Sequence, residues 1–339
     1  MKIGIIGCGK RFTNIYFPIL ENLNYQMFLW NRSLDKSQKF CENNNCNLVN
    51  DIKDFNDLGL DLILCFLPSN AQYEVLKSLP DLLSCAILVE TPAEDQRIFS
   101  LNKKIGVLEQ WPQLPLEQFK ETIYRSNLIR RPYMVFNDGR SFDYHAIAQL
   151  RTQLGYPTPV CVKGSVNTFG NPGVIDAHGK LNLNPHDWTT GQIEMSDGSF
   201  LLYNFAYNCK SLLTIPIQFI RSYSTDGSIV TGRMKEVGND YEFVDVRCLD
   251  KSTKEVKICE TIVERKEDVT FSLSLKEEKV KWDNPYAKLN FNDQQTAIAT
   301  LVDNATKRIL YSYKDAYIDY VCVQMIKNSG YQQQIIKIS

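Results

Sequence analysis

The chain of 339 residues contains no apolar run approaching the ~20 residues that a membrane span needs. Met1-Lys2-Ile3-Gly4-Ile5-Ile6 enters a strand and a glycine turn at once, without the basic and apolar segments of a secretion signal. These absences lead to the expectation of a cytoplasmic protein. Charge of one sign is missing too: 38 Lys and Arg against 39 Asp and Glu leave a net charge of -1, with no basic stripe. That removes electrostatic attraction to nucleic acid or an anionic membrane and leaves a small molecule as the expected partner. Histidine is scarce, with three residues, and none of the ten cysteines forms a Cys-x-x-Cys pair with metal-ligand spacing. Several cysteines (Cys65, Cys85, Cys161) sit in apolar runs and read as small core residues in a reducing compartment. Cys41 and Cys46 are the closest pair, and no second pair or nearby His completes a zinc site. With no ligand cluster, nucleophile elbow or phosphate-binding lysine loop, a metal-dependent hydrolase or transferase is set aside.

What is present is the balance of a globular protein, 44% hydrophobic and 23% charged, at a length that favours two domains. In the first third, Lys2 to Ile6, Gln26 to Trp30, Asp61 to Leu67 and Cys85 to Val89 are apolar, β-branched or aromatic and alternate with amphipathic stretches, the pattern of a parallel sheet with crossover helices. The run Asp61-Leu62-Ile63-Leu64-Cys65-Phe66-Leu67 lacks polar alternation, as a central strand covered on both faces does. From about Pro132 the pattern changes to period two. Gly191 to Met195 and Phe200 to Phe205 flank a Ser196-Asp197-Gly198-Ser199 turn of hairpin length, and further pairs are expected around Thr225-Asp226-Gly227-Ser228 and Leu249 to Thr253. Asp293 to Asn328 reads as helix, broken near Arg308 to Ser312. The expected architecture is α/β: an N-terminal Rossmann dinucleotide-binding domain over residues 1–120 and a C-terminal α+β domain over 121–339 with an open, mainly antiparallel sheet. By pattern alone the crossing falls between 110 and 135.

The segment Gly4-Ile5-Ile6-Gly7-Cys8-Gly9-Lys10-Arg11-Phe12 lies between the first strand and a helix carrying Ile15, Phe17, Ile19, Leu20 and Leu23. Gly7 suits the tight turn, Gly9 permits close approach of a pyrophosphate, and the helix start at Lys10, Arg11 and Phe12 offers N–H groups to its charge. Phe12 stands where a third glycine is usual. The second strand ends Leu29-Trp30-Asn31-Arg32-Ser33 without the acid that bonds the ribose hydroxyls in NAD-selective sites. Arg32 offers a charge-assisted fork to a 2′-phosphate, flanked by the neutral Asn31 and Ser33, so NADP is expected as the cofactor.

Taken together these motifs resemble the Gfo/Idh/MocA family of glucose-fructose oxidoreductase, inositol dehydrogenase and rhizopine-catabolism oxidoreductases. The resemblance is strong over about the first 160 residues and holds in outline afterwards. Pro18-Ile19-Leu20 matches the family's Pro-x-Leu helix, and Leu67-Pro68-Ser69-Asn70 matches its turn after the fourth strand. Its Glu-Lys-Pro signature is here Glu90-Thr91-Pro92. The family's lysine touches nicotinamide ribose and substrate and assists proton transfer, so Thr91 stands at a catalytic position. Glu109-Gln110-Trp111 and Pro115 resemble the family's crossing between domains, where Trp111 either flanks the nicotinamide end or packs between domains. The family's Asp and His, one turn apart on a helix ending in Gly, match Ser141 and His145 ahead of Gly155, with Tyr144 or His186 as a possible partner of the histidine. Helical spacing would put Ser141 and His145 on one face and Asp143 elsewhere. The Gly/Pro/Asn-rich stretch from Gly170 to Trp188 is read as an irregular loop, either a plain surface loop or a cover over a substrate pocket. In the second case His186 and Trp188 join Ser141 as substrate-side candidates. Arg140 and Lys163 are candidates for replacing the lysine only by nearness to the motifs.

The resemblance implies an NADP(H)-dependent oxidoreductase with His145 giving or taking a proton. Without the lysine and the aspartate, reduction of a C=N or C=O bond is favoured over alcohol oxidation. Thiazolinyl imine reductases of siderophore type, which also resemble this family, point to an imine, another specialised metabolite or a sugar derivative. The rival reading is a catalytically degenerate NADP-binding regulatory protein. In the family the open face of the C-terminal sheet is buried between subunits, so a homodimer or tetramer is implied. Tyr203, Phe205, Tyr207, Phe219 and Tyr223 are the aromatics that would supply that face, with burial under helices as the alternative.

Overall fold

A computed structural model describes residues 1–81, 83–169, 174–175, 181–182, 186–206, 217–236, 239–250, 253–264, 270–275, 278–330, 332 and 334–335. The chain forms two compact units, Met1–Leu114 with Tyr286–Tyr320, and Pro115–Pro285 with Val321–Ser339. No helix of the described residues is long and apolar enough to cross a membrane.

The first unit holds the expected parallel sheet. Strands β1 (Lys2–Ile6), β2 (Gln26–Trp30), β3 (Asn47–Leu48), β4 (Leu62–Cys65), β5 (Ala86–Val89) and β6 (Ile105–Val107) alternate with helices α1 (Phe17–Asn22), α2 (Leu34–Asn43) and α3 (Ser69–Ser78). The sheet order is β3-β2-β1-β4-β5-β6 and every pair is parallel. β4 and β5 are buried along their whole length, as their unbroken apolar sequences require. Ahead of α1, Phe12–Tyr16 form a π turn. Pro18, early in α1, has no N–H for the Asn14 carbonyl and its ring would collide with it; the widened turn just before it relieves that conflict.

The second unit is built on an eleven-stranded sheet. Its members are β7 (Met134–Asp138), β8 (Pro159–Phe169), β11 (His186–Met195), β12 (Phe200–Ala206), β13 (Ile217–Tyr223), β14 (Gly227–Glu236), β15 (Asn239–Leu249), β16 (Val256–Glu264), β17 (Thr270–Leu275), β18 (Glu278–Asp283) and β19 (Gln334–Ile335). A separate pair, β9 (Val174–Ile175) and β10 (Leu181–Asn182), lies outside it. Only β7 and β12 run parallel in the large sheet, and the three expected hairpins are all present. Helices α4 (Pro115–Arg125) and α5 (Asp143–Leu154) cover one face. There Val135, Leu201, Tyr203, Phe205 and Ile220 are buried, and α4 packs Phe119 and Ile123 onto Ile229, Val246 and Phe271. On the opposite face Phe136, Leu202, Phe219, Tyr223 and Val230 stay half-buried. Of the aromatics assigned to an open face, Tyr203 and Phe205 therefore lie under helices, Phe219 and Tyr223 are on the uncovered side, and Tyr207 is outside the described residues.

The last helices, α6 (Asp293–Ala305) and α7 (Tyr313–Asn328), follow the predicted break, but their placement differs from a single cut at 120. Ile298, Ala299, Val302 and Ala305 join the core of the first unit with Phe17, Ile19 and Leu20. Asp303 accepts bonds from the hydroxyls of both Tyr25 and Tyr286, and Val107 N–H donates to the Tyr311 carbonyl at 3.0 Å. The apolar stripe of α6 needs a sheet to cover, and the parallel one supplies it. The reading of the cysteines as core residues of a reducing compartment is corrected at one pair: Cys41 and Cys46 form a disulfide, because the end of α2 and the approach to β3 bring their Cα atoms to 5.1 Å. Ile298→Ala should lower the unfolding free energy by about 2–5 kcal/mol in urea denaturation, as loss of a fully enclosed aliphatic side chain does.

Candidate functional site

The strand order of the first unit reverses between β1 and β4, and in open parallel sheets a ligand binds at the carboxyl ends beside that reversal. Gly7 ends β1 with φ +99° and donates its N–H to the Trp30 carbonyl at 2.9 Å. A Cβ there would lie 3.3 Å from the Phe66 carbonyl oxygen, so glycine is required twice, by conformation and by space. Gly9 is different. A Cβ on it would meet nothing within 4 Å, which means that its backbone faces open space at the start of a helix, the setting a pyrophosphate needs. Lys10 is exposed beside it. The residues present thus fit a dinucleotide.

Phe12, by contrast, contributes no side chain to such a site. Its ring is fully buried among Phe17, Phe40 and Phe66, with centroids 6.0, 5.6 and 5.4 Å away, and takes the room a third glycine would have left between helix and strand. Asn31 is a tie between loops: its carbonyl oxygen accepts from Cys8 N–H at 3.1 Å and its amide donates to the Ser33 carbonyl at 2.9 Å. That leaves Arg32 and Ser33, both exposed, as the groups free to meet a 2′-phosphate. Lys36, in the first turn of α2, adds a positive charge that was not anticipated; after burial, which raises the Cys8 thiol, it is the charge that pulls it down.

At the ends of β4 and β5, Leu67 is half-buried and Pro68 and Asn70 are exposed. Gln72 fastens these loops, donating to the carbonyls of Leu67 (3.1 Å) and Glu90 (2.8 Å). Its polarity on the buried side of α3 was the only sequence signal for this. Arg11, at the helix start expected to meet the cofactor, and Glu90, of the Glu-Thr-Pro signature, pair with each other at 3.2 Å. Burial alone would lower the Arg11 guanidinium, and Glu90 with Tyr16 more than offsets it. Tyr16 is held protonated well above its ordinary range, first by burial and then by Glu90. Thr91 is half-buried and joined to Pro92 by a cis peptide. Trp111 N–H donates to the buried Glu109 carboxylate at 3.1 Å.

In the second unit, α5 begins at Asp143, and this overturns the placement of Ser141. Ser141 precedes the helix, fully buried, with its N–H on the Asn137 side chain at 2.9 Å and its hydroxyl on Gln149. It does not share a helix face with His145. His145 is half-buried, with the Phe142 ring edge-on at 5.0 Å and Tyr144 tilted against it at 4.2 Å. Beneath, Glu117 of α4 accepts from Gln149 (2.9 Å), Gln153 (2.8 Å) and Lys120 (2.9 Å). Burial lowers the Lys120 ammonium more than Glu117 restores it. Arg140 is engaged by Glu242 at 2.9 Å and is not a spare cation.

Trp188 and His145 are not brought together. Trp188 lies within β11, not in an irregular loop, because β8 extends far enough to pair with it. Phe205 faces α5 opposite Thr189, so alternation turns Trp188 to the uncovered face, where it lines a groove of about 490 Å³ with Phe136, Lys163 and Asn204. His186 pairs with Phe169 through its backbone, its side chain is outside the described residues, and so is His178.

No family model and no curated protein matches the sequence. Solved structures do match in fold. An NAD binding oxidoreductase from Klebsiella pneumoniae is similar with TM-score 0.67 and 10% identity over 100% of both chains. An oxidoreductase from Agrobacterium radiobacter, in complex with NAD+, L-tartaric acid and magnesium, has TM-score 0.66 and 13% identity over 99% of this chain and 98% of its own. The transcriptional regulator Gal80p from Kluyveromyces lactis has TM-score 0.64 and 14% identity over 96% and 91%. The chain thus shares the fold of Gfo/Idh/MocA-type oxidoreductases, as the resemblance implied.

Removing one partner of the buried Glu117–Lys120 pair leaves an uncompensated charge. Lys120→Met should cost about 3–5 kcal/mol of stability, and adding Glu117→Gln should recover part of it; equal losses in single and double variants would contradict the pairing.

Proposed function

We propose that the chain is an NADP(H)-dependent oxidoreductase that reduces a C=N or C=O bond of a small metabolite, with His145 as proton donor. The observation that carries the reading is Gly9, whose backbone opens onto free space at the point where the sheet order reverses. Arg32, Ser33 and Lys36 gather charge and hydroxyl at the end of β2, where an adenosine 2′-phosphate lies in this fold. Such a cofactor supplies hydride when bound. Everything else falls to the chain's own groups. Gln72 fixes the loops after β4 and β5, so the backbone beside the nicotinamide end is held without help from a ligand. Thr91, in place of the family lysine, offers a hydroxyl that donates a hydrogen bond and does not act as a base near neutral pH. His145 brings an imidazole that can hand a proton to the substrate. This combination suits reduction, which needs a donor, better than oxidation, which needs a base.

A second reading, an NADP-binding regulator without turnover, draws on Ser141, which is locked into the core and cannot act as the family's aspartate does, and on the likeness in fold to Gal80p. For either reading we propose a homo-oligomer. The half-buried Phe136, Leu202, Phe219, Tyr223 and Val230 on the uncovered sheet face supply the surface that lies between subunits in the resembled family.

Followed by nicotinamide fluorescence, Arg32→Ala should weaken NADPH binding about 10- to 100-fold, the worth of one charge-assisted bond, and leave NADH binding nearly unchanged. Lys36→Ala should act in the same sense and less strongly. Equal losses for both nucleotides would contradict the 2′-phosphate assignment. In a screen of cyclic imines and ketones for NADPH consumption, His145→Ala should cut kcat by about 10²–10⁴ on any substrate found; nucleotide binding without turnover on any of them would favour the regulator.

A further inference from the structure

Asp143, the first residue of α5, has φ +47°, a left-handed conformation that an L-residue with a side chain adopts rarely. The helix start is unusual in a second way. Its N-cap, Phe142, has no side chain able to bond the first-turn N–H groups, and no side-chain cap is made. Four contacts at the helix start and just ahead of it stand in for the cap. The Asp143 N–H donates to the Tyr203 hydroxyl of β12 at 3.0 Å. The Asp143 carboxylate pairs with the Lys327 ammonium of α7 at 2.9 Å. Just upstream, the Asn137 side chain brackets Ser141, donating to its carbonyl at 3.0 Å and accepting from its N–H at 2.9 Å. The ion pair is partly screened from water, with side-chain exposures of 18% for Asp143 and 36% for Lys327.

His145 is the third residue of this turn. Its ring rests on Phe142 and Tyr144, the two residues whose backbone brackets Asp143, and Phe142 in turn packs on Phe205 of β12 at 6.0 Å. The imidazole is thus packed on both neighbours of Asp143. A residue in a sparsely populated conformation persists only where its surroundings over-determine it, and such residues gather where geometry serves function. We infer that Asp143 and Lys327 are positioning residues: their ion pair holds the first turn of α5 in its left-handed start and so fixes the orientation of the His145 imidazole. The inference rests on the proposed role of His145 as proton donor, and neither residue is given contact with cofactor or substrate.

With three histidines in the chain, the ring is open to direct observation. The full-length protein, labelled with ¹³Cε1-histidine, should give one His145 signal, identified by its loss in His145→Gln. In Lys327→Ala that signal should move or double while the other two histidine signals and the melting temperature hold, and Lys327→Arg should restore it. Should Lys327→Ala fail to fold, Asp143→Asn decides alone. Asparagine tolerates the left-handed region and keeps the shape, so only the charge is lost. An unmoved His145 signal in the folded variants, or equal movement of all three signals, would overturn the inference. A His145 signal that responds as expected, in a protein whose turnover survives His145→Ala, would leave the positioning intact and remove the proton-donor reading instead.

Discussion

The left-handed turn at Gly7 is the constraint on which the first unit depends. It lets β1 end in a bond to the Trp30 carbonyl and places the start of the next helix directly above the point where the sheet order reverses. From that one backbone conformation follow the open space at Gly9 and the exposure of the β2 loop. The Asn31 bridge then holds the glycine loop and the β2 loop at a fixed spacing. A turn of this kind is made mostly of main chain, which is why the fold that carries it is shared at 10–14% identity.

In the second unit, α5, which carries His145 in its first turn, starts without a side-chain cap of its own. α5 is held from below by the bonds of Glu117 to Gln149 and Gln153, and at its start by the sheet and by α7. Buried polar contacts of this kind add little net stability compared with apolar packing, and they admit one arrangement of the helix where an apolar surface would tolerate several. Ser141, which matches the acid of the resembled family, is part of that scaffold, with its hydroxyl turned to Gln149.

Local chemistry was legible in the sequence, and pairing across distance was not. The strands, the hairpins and both last helices show in periodicity and turn residues, and the glycine loop shows in its context. Ser141 was misplaced because Ser-Phe-Asp offers two polar residues at a helix start, and nothing local says that the chain passes both before turning with Asp143 left-handed. The face of Trp188 was readable from Thr189, Gly191 and Ile193, whose alternation turns the intervening residues outward, once the stretch is known to be strand. The docking of α6 could not be read: its apolar stripe demands a sheet, and two sheets were on offer. Lys327, 184 positions beyond Asp143, lies outside any local pattern.

Gly9 separates the proposed function from folding, because a Cβ added there meets nothing within 4 Å beyond its own chain neighbours. The measurement is NADPH titration of Gly9→Ala beside its thermal unfolding. An unchanged melting temperature with nucleotide binding lost or severely weakened is expected, since the methyl group occupies the space of the pyrophosphate. Undiminished binding in a stable Gly9→Ala protein would contradict it.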